Sequence, residues 1–499
     1  MKTKVLIIIL FASHLIIKAQ NPGDILFSTL IHNVYLNFSI PSWYDTLANN
    51  YNISNGIDSN IYFPCDIVID GISLNNSGVR FKGNSSYSHP NQKKSFKLDF
   101  EEYVSGQKFD NLKQLNLNNS YNDPTFLREK IYLDFCSSKT LNAPRCVYAN
   151  VYVNNVLWGF YTIIEEIDKT YLESTFGNNG GNLFKGDPSG HLKWLGNVQS
   201  NYYNNYELKT NETQNDWSDL INLIDNINNT ASNEWIDSIT TCFNIQDYLK
   251  HYAATILFAT LDSYTGSGHN FYLYHNTSSN QFEFIQWDVN GSFGRHHPNG
   301  QGLTNEALLD PFWVPTPAGS RPLHEKILQQ LNLKQIFTEH LCNYIDTYFD
   351  TTSMNLKIDS LSNIIRPLVY ADPRKQFTNA DFENNLSNDF NINTPGLKKF
   401  VRERYFYLLP ILYSYGCSLN TLYNANSNYH QKFYCFPNPS NTRLFFSTTL
   451  DGIKVFNVVG ELMGPEILSA NSIATDNLKN GVYFLCTKQG SQKIIIQHE

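Results

Sequence analysis

From residue 61 to residue 117 apolar and polar positions alternate, as in Ser95-Phe96-Lys97-Leu98-Asp99-Phe100. A period of two predicts strands with one buried face. The period then lengthens: Phe126, Leu127, Ile131 and Phe135 recur at helical spacing behind Asp123-Pro124, an N-cap and first-turn pair that predicts a helix beginning there. Alternation returns over 147–164 about Asn154-Asn155, which reads as a hairpin turn. Helical spacing marks 217–227, 245–261, 323–349 and 397–413, while 270–275 and 282–287 read as strands flanking a turn. The expected fold is α+β, strand-rich first and helix-rich later. Residues 417–433, rich in Ser, Asn and Tyr without periodicity, read as a linker. Beyond them, short strands at 444–447, 453–457, 482–487 and 493–497 predict a small all-β sandwich over 434–499.

Composition narrows the classes. With 41% hydrophobic and 14% aromatic residues, the chain has material for packed cores, and its 499 residues suggest about three domains. A formal charge of −8, with no dense Lys/Arg block, excludes nucleic acid as a partner. Lys2 and Lys4, the apolar run 5–17 and Lys18-Ala19-Gln20 predict a signal peptide over 1–19. The run is shorter than the roughly 20 residues a bilayer demands, and no later window replaces it, so the mature chain is expected to be soluble, without a transmembrane span. Cys65 is the first cysteine, far from the cut, which excludes a lipid-anchored lipoprotein. The eight cysteines contain no C-x-x-C pair and no zinc spacing. Export permits disulfides, but their pairing is not legible.

Four polar clusters interrupt packable strands. Lys82-Gly83-Asn84-Ser85-Ser86, followed by Lys93-Lys94-Ser95-Phe96-Lys97, frames a turn with cations and backbone N–H groups, which suits a polyphosphate or, equally, a solvated hairpin. Glu165, ending the apolar run from Trp158, is placed to orient a lysine on the nucleotide phosphates or to lie solvated at a strand end. Asp262 and Asn270 share one loop, and Asp288 follows the next hairpin, so three hard oxygen ligands come together in a way that suits Mg²⁺. His296-His297 reads as a surface pair, and Arg128 as part of an ion pair inside the fold. A Walker A loop and a Gly-x-Ser-x-Gly elbow are absent.

Together these clusters resemble the CotH kinase family over 62–412, through Lys82 to Ser86, Lys94-Ser95, Asp123, Leu127-Arg128, Gly159-Phe160-Tyr161 with Glu165, Asp262 with His269-Asn270-Phe271-Tyr272, Trp287-Asp288 with Ser292-Phe293-Gly294, and Arg404. The resemblance implies an atypical protein-kinase-like two-lobed domain over 61–416, behind an N-terminal segment at 20–60. It also implies transfer of the ATP γ-phosphoryl group to Ser/Thr of extracytoplasmic proteins with Mg²⁺ or Mn²⁺. Asp262 becomes the catalytic acid. Asp288 becomes the main metal ligand and Asn270 a second one. Lys82, Lys94, Lys97 and Glu165 become the phosphate-positioning candidates, the choice of lysine staying open. The chain departs from the family at Asn290, where a second Asp is usual, and at Lys82, where an Arg is usual. Pro437-Asn438-Pro439-Ser440, the Ile453 to Asn457 strand, the Leu478 to Tyr483 run and the final strand at Lys493 resemble a type IX secretion sorting domain. That resemblance implies contact with the secretion machinery and a secreted or outer-surface location. Two alternatives stand beside the kinase: a catalytically inactive kinase-like adhesin or scaffold, and a carbohydrate-active module suggested by the aromatics and Glu165-Glu166. Adjacent acids on a strand face opposite ways, which counts against the latter.

Overall fold

The computed structural model describes residues 21–57, 59–298, 300–417, 433, 435–457, 461–487 and 490–498. The leader expected over 1–19, nearly all of the expected linker, and Val459-Gly460 lie outside the described residues. The fold is mixed α and β. Seven strands, β1 (Ile31–Asn37), β2 (Phe63–Ile69), β3 (Ile72–Lys82), β4 (Ser95–Asp99), β5 (Gln114–Asn118), β6 (Cys146–Val153) and β7 (Val156–Glu165), close a barrel in the order β1-β2-β3-β4-β5-β7-β6. The closing pair, β1 with β6, is parallel, so the barrel takes in a strand that precedes residue 61.

Alternation explains the barrel's two faces. Val79, Phe81, Phe96, Leu98, Leu115, Leu117 and Ile163 fill its interior, with Phe81 and Phe96 paired in register, their ring centroids 5.3 Å apart. Their strand neighbours Lys82, Lys97, Asn116 and Asn118 therefore face outward. The β6–β7 hairpin turns at Asn154 and Asn155 as expected, both with positive φ (48° and 66°), the conformation a two-residue turn of this hand requires.

The second apolar core lies among helices Arg128–Ser138, Ser218–Asn229, Trp235–Cys242, Ile245–Leu257, Leu331–Thr347, Thr351–Ala371 and Leu397–Ser414. A sheet of β8 (Leu183–Gly186), β9 (Tyr206–Leu208), β10 (Phe271–Asn276) and β11 (Gln281–Gln286), ordered β11-β10-β8-β9, packs with them. The helix expected from Asp123 begins at Arg128 instead. Phe126 has φ 59°, which interrupts any helix there, and Asp123 reaches across the turn to accept the Arg128 N–H at 2.9 Å. Barrel and helical part are joined by the buried ion pair Lys93–Asp372 (2.6 Å). Asp372 also accepts the Phe160 N–H at 3.0 Å. This approach needs Gly159, because a Cβ there would lie 3.0 Å from both Asp372 Oδ1 and Lys93 Cε. Cys342 and Cys417 form a disulfide.

The C-terminal strands form two four-stranded sheets about Leu444, Val455, Ile473, Leu485 and Ile494, the sandwich that the spacing predicts. Its opening motif is tied to the final strand: Asn438 Oδ1 accepts the Ile495 N–H at 2.7 Å, and Ser440 N–H donates to Ile495 O at 2.8 Å.

Candidate functional site

The outward polar face of β3, β4 and β5 forms one wall of a cleft. Lys82, at the end of β3, donates to Asn116 Oδ1 (2.7 Å) and lies 5.4 Å from the Trp287 ring centroid. Burial, then the nearby Lys97 charge, pulls its ammonium down to about 8 against the opposing pull of Glu166 and Asp288. Lys97 is ion-paired with Glu166, which also accepts from Asn116 Nδ2 at 2.6 Å. Burial opposes ionisation of Glu166, but Lys97 and Lys82 outweigh it and hold the carboxyl at about 2.

Two expected roles fall elsewhere. Lys94 donates to the carbonyls of Tyr87 (2.6 Å) and His89, so it staples the turn after Lys82 rather than facing the cleft. Glu165 is taken by Arg145, through Nε at 2.9 Å and Nη2 at 2.5 Å. The lysine-orienting position expected for Glu165 belongs to Glu166, because adjacent residues point to opposite sides and Lys97 stands on the side of Glu166. The two acids therefore never face each other, which removes the glycosidase pair.

The opposite wall is built from loops. Asp288 follows β11 with φ 44°, and its buried Oδ1 has no hydrogen-bond partner among the described residues. Burial first, then Asp262 nearby, raises its carboxyl above the usual range. Glu129, in the first turn of helix Arg128–Ser138, accepts from Asn118 Nδ2 at 3.2 Å and 3.3 Å. Burial and then Asp288 push it up to about 8. Sequence reasoning missed Glu129, although it adjoins the Leu127-Arg128 pair that had been singled out. Lys82, Glu129, Asp288 and Asn290 line one cleft.

Asp262 lies beyond helix Ile245–Leu257. Arg404 fixes that helix end by donating to the carbonyls of Ile256 (2.8 Å) and Leu257 (3.3 Å). His269 Nε2 meets Asp262 Oδ1 at 2.6 Å and His296 Nε2 stands 3.6 Å from it. Burial works against ionisation, but the His269 hydrogen bond and the charges of His296, His269 and Arg295 hold Asp262 at about 2. Asn270, with φ 60°, donates from Nδ2 to the Asp262 carbonyl at 2.9 Å and so ties the ends of the 262–270 loop. His296-His297 is half-buried rather than a free surface pair: His296 also meets Ser267 Oγ at 2.8 Å, and His297 Nδ1 lies against the buried Glu306 carboxyl. Arg128 is buried against Asp123, the expected internal ion pair.

Among the described residues no three His, Cys, Asp or Glu side chains converge as a ready metal cage. The donors present nonetheless suit a hard cation: the unpartnered Asp288 Oδ1 and the Glu129 carboxylate are oxygens whose mutual repulsion a divalent ion relieves.

Residues 79–408 match the family model described as CotH kinase protein, and residues 434–497 match that described as secretion system C-terminal sorting domain. The chain is similar to inner spore coat protein H of Bacillus subtilis, 25% identical over 289 residues, 57% of this chain and 76% of that protein. It is also similar to invasin CotH3 of Rhizopus delemar, 22% identical over 361 residues, 65% of this chain and 57% of that protein. Among solved structures, a chain of the Shewanella oneidensis HipA, HipB and operator DNA complex matches at a TM-score of 0.26 with 11% identity, over 60% of this chain and 58% of that one. A type IX sorting domain indicates export to a secreted or cell-surface location. No described helix is long and apolar enough to cross a membrane.

Proposed function

The chain belongs to the CotH kinase protein family, and from that premise we propose that it is an exported phosphotransferase, moving the γ-phosphoryl group of ATP onto a serine or threonine hydroxyl of an extracytoplasmic protein with Mg²⁺ or Mn²⁺. The barrel and the helical part act as the two lobes of a kinase-like domain, with the cleft between them taking the nucleotide. The observation that carries this reading is the buried Oδ1 of Asp288, without a partner among the described residues, on a residue that lines the same cleft as Lys82 and Glu129, with the ionised Asp262 next to it.

In this reading Lys82 binds phosphate oxygens, and the Lys97–Glu166 pair behind it keeps the wall charged and fixed. Asp288 and Glu129 hold the divalent cation, and Asn270 keeps the catalytic loop closed on Asp262. What the cation supplies is neutralisation of charge on the phosphates. Asp262 accepts the proton of the acceptor hydroxyl as the new O–P bond forms, the bond from γ-phosphorus to the bridging oxygen breaks, and ADP leaves. A carboxylate held at about 2 is a weak base. In a loose transition state the proton moves late, so Asp262 serves mainly by orienting the hydroxyl, and His269 fixes that orientation.

Calorimetric titration of ATP with Mg²⁺ and then Mn²⁺ tests this. Metal-dependent binding is expected, and Asp288→Ala is expected to weaken it at least about a hundredfold, the loss of a buried charged ligand. The second reading, an inactive kinase-like surface protein, is favoured by Asn290, whose carboxamide is occupied by Arg295 at 2.8 Å, and by the invasin name of one relative. A folded chain that binds no nucleotide with either metal would decide for it.

A further inference from the structure

Two cavities meet at the loop after β11. One is the cleft containing Lys82, Glu129, Asp288 and Asn290. The other is a groove lined by Arg295, His296, Gln376, Phe377 and Phe390. Asn290 and Arg295 form the junction: Arg295 Nε donates to the Asn290 carbonyl at 2.9 Å and Nη2 to its Oδ1 at 2.8 Å. These bonds orient the guanidinium and use only part of its five-donor fork. Among the described residues Arg295 has no ion pair, although Asp123, Asp262 and Asp288 attract it and Arg128 repels it. Of these carboxylates Asp123 is engaged by Arg128 and Asp262 by His269, and Asp288 is the one assigned to the divalent cation. A half-buried cation without a counter-ion is completed by an anion, and the planar fork matches the two oxygens of a phosphate or a carboxylate, of which a nucleotide cleft supplies the phosphate.

Asn290 fits the same account. A carboxylate at 290 would accept the same Nη2 bond but neutralise the guanidinium, whereas the carboxamide holds it and leaves its charge available. Resting on the phosphotransferase reading, we propose that Arg295 binds the terminal phosphate of a nucleoside triphosphate where the nucleotide cleft opens into the second groove, so that the site separates the triphosphate from the diphosphate.

The test is titration of ATP and of ADP, each with saturating Mg²⁺, into the full chain and into Arg295→Ala and Asn290→Asp variants. The unaltered chain is expected to bind ATP about tenfold or more tightly than ADP, the worth of one charge-assisted fork. Both variants are expected to bring that ratio close to one, and in Arg295→Ala the ADP affinity stays unchanged and reports that the fold is intact. If Arg295→Ala fails to fold, the isosteric Asn290→Asp carries the test alone. A ratio that survives in the folded variants, or one that rises in Asn290→Asp, overturns this inference and leaves the phosphotransferase reading standing. A chain that binds neither nucleotide overturns both.

Discussion

At the scale of the residue, three lysines withdrawn from water are each tolerated because a specific partner meets them. Lys93 has Asp372, Lys97 has Glu166, and Lys82 has the Asn116 carboxamide. Removing one member of such a pair leaves the other charge desolvated, which costs about 3–5 kcal/mol, whereas removing both is far milder. Glu166→Ala is therefore expected to lower unfolding free energy by about 3 kcal/mol, and adding Lys97→Met to restore most of it. Denaturant unfolding of the four chains of that cycle checks the coupling, and a double variant whose loss equals the sum of the two single losses would show there is none. The alternation of Ser95 to Phe100 made Lys97 legible as a polar-face residue. Which of Glu165 and Glu166 shares its side was not legible, because parity separates the two acids without saying which side closes on the cleft.

At the scale of the element, the helices position groups that their own sequences do not advertise. Helix Pro322–Gln329 buries His324 between Tyr248, whose Oη meets its Nε2 at 2.6 Å, and the stacked Tyr252 ring, 3.8 Å between centroids. Burial, and then the Arg321 charge, drives this imidazole well below its ordinary pKa. It stays neutral in the folded chain and takes a proton in the unfolded chain below about pH 6.5. Stability is then complete above that pH and falls as the pH drops, by about 1.4 kcal/mol per unit from this group. Thermal melts from pH 7.5 to pH 5 should show a shallower loss in His324→Gln than in the unaltered chain, and parallel curves would refute the assignment. The hairpin at Asn154-Asn155 was readable because its determinants are local. The start of helix Arg128–Ser138 was not, because the left-handed Phe126 and the long reach of Asp123 belong to packing against the rest of the fold.

At the scale of the whole molecule, distant segments are fastened together at a few points. Lys93–Asp372 fastens the barrel to the helical part, and Cys342–Cys417 closes a loop of 75 residues behind the last helix. A cross-link of that span is worth about 4 kcal/mol in the chain-entropy account. Cys342→Ser is expected to lower the melting temperature, Cys417→Ser by the same amount, and the double variant no further; unequal single effects would mean that one thiol acts through packing instead. The fastening by a disulfide suits a chain that carries an export signal at its end.

What the sequence determined by itself is the part of the structure set by near neighbours: the strand and helix periods, the Asn154-Asn155 turn, the C-terminal sandwich, and the order of Lys82, Asp262, Asn270 and Asp288 along the chain. Tertiary structure alone decided that Glu129 enters the cleft, that Glu166 rather than Glu165 meets Lys97, that His296 comes up to Ser267 and Asp262 and His297 to Glu306, and that Cys342 finds Cys417. The reason is physical. Periodicity and turn chemistry act over a few residues, whereas these contacts join side chains brought together only when the barrel and the helical core close their apolar faces.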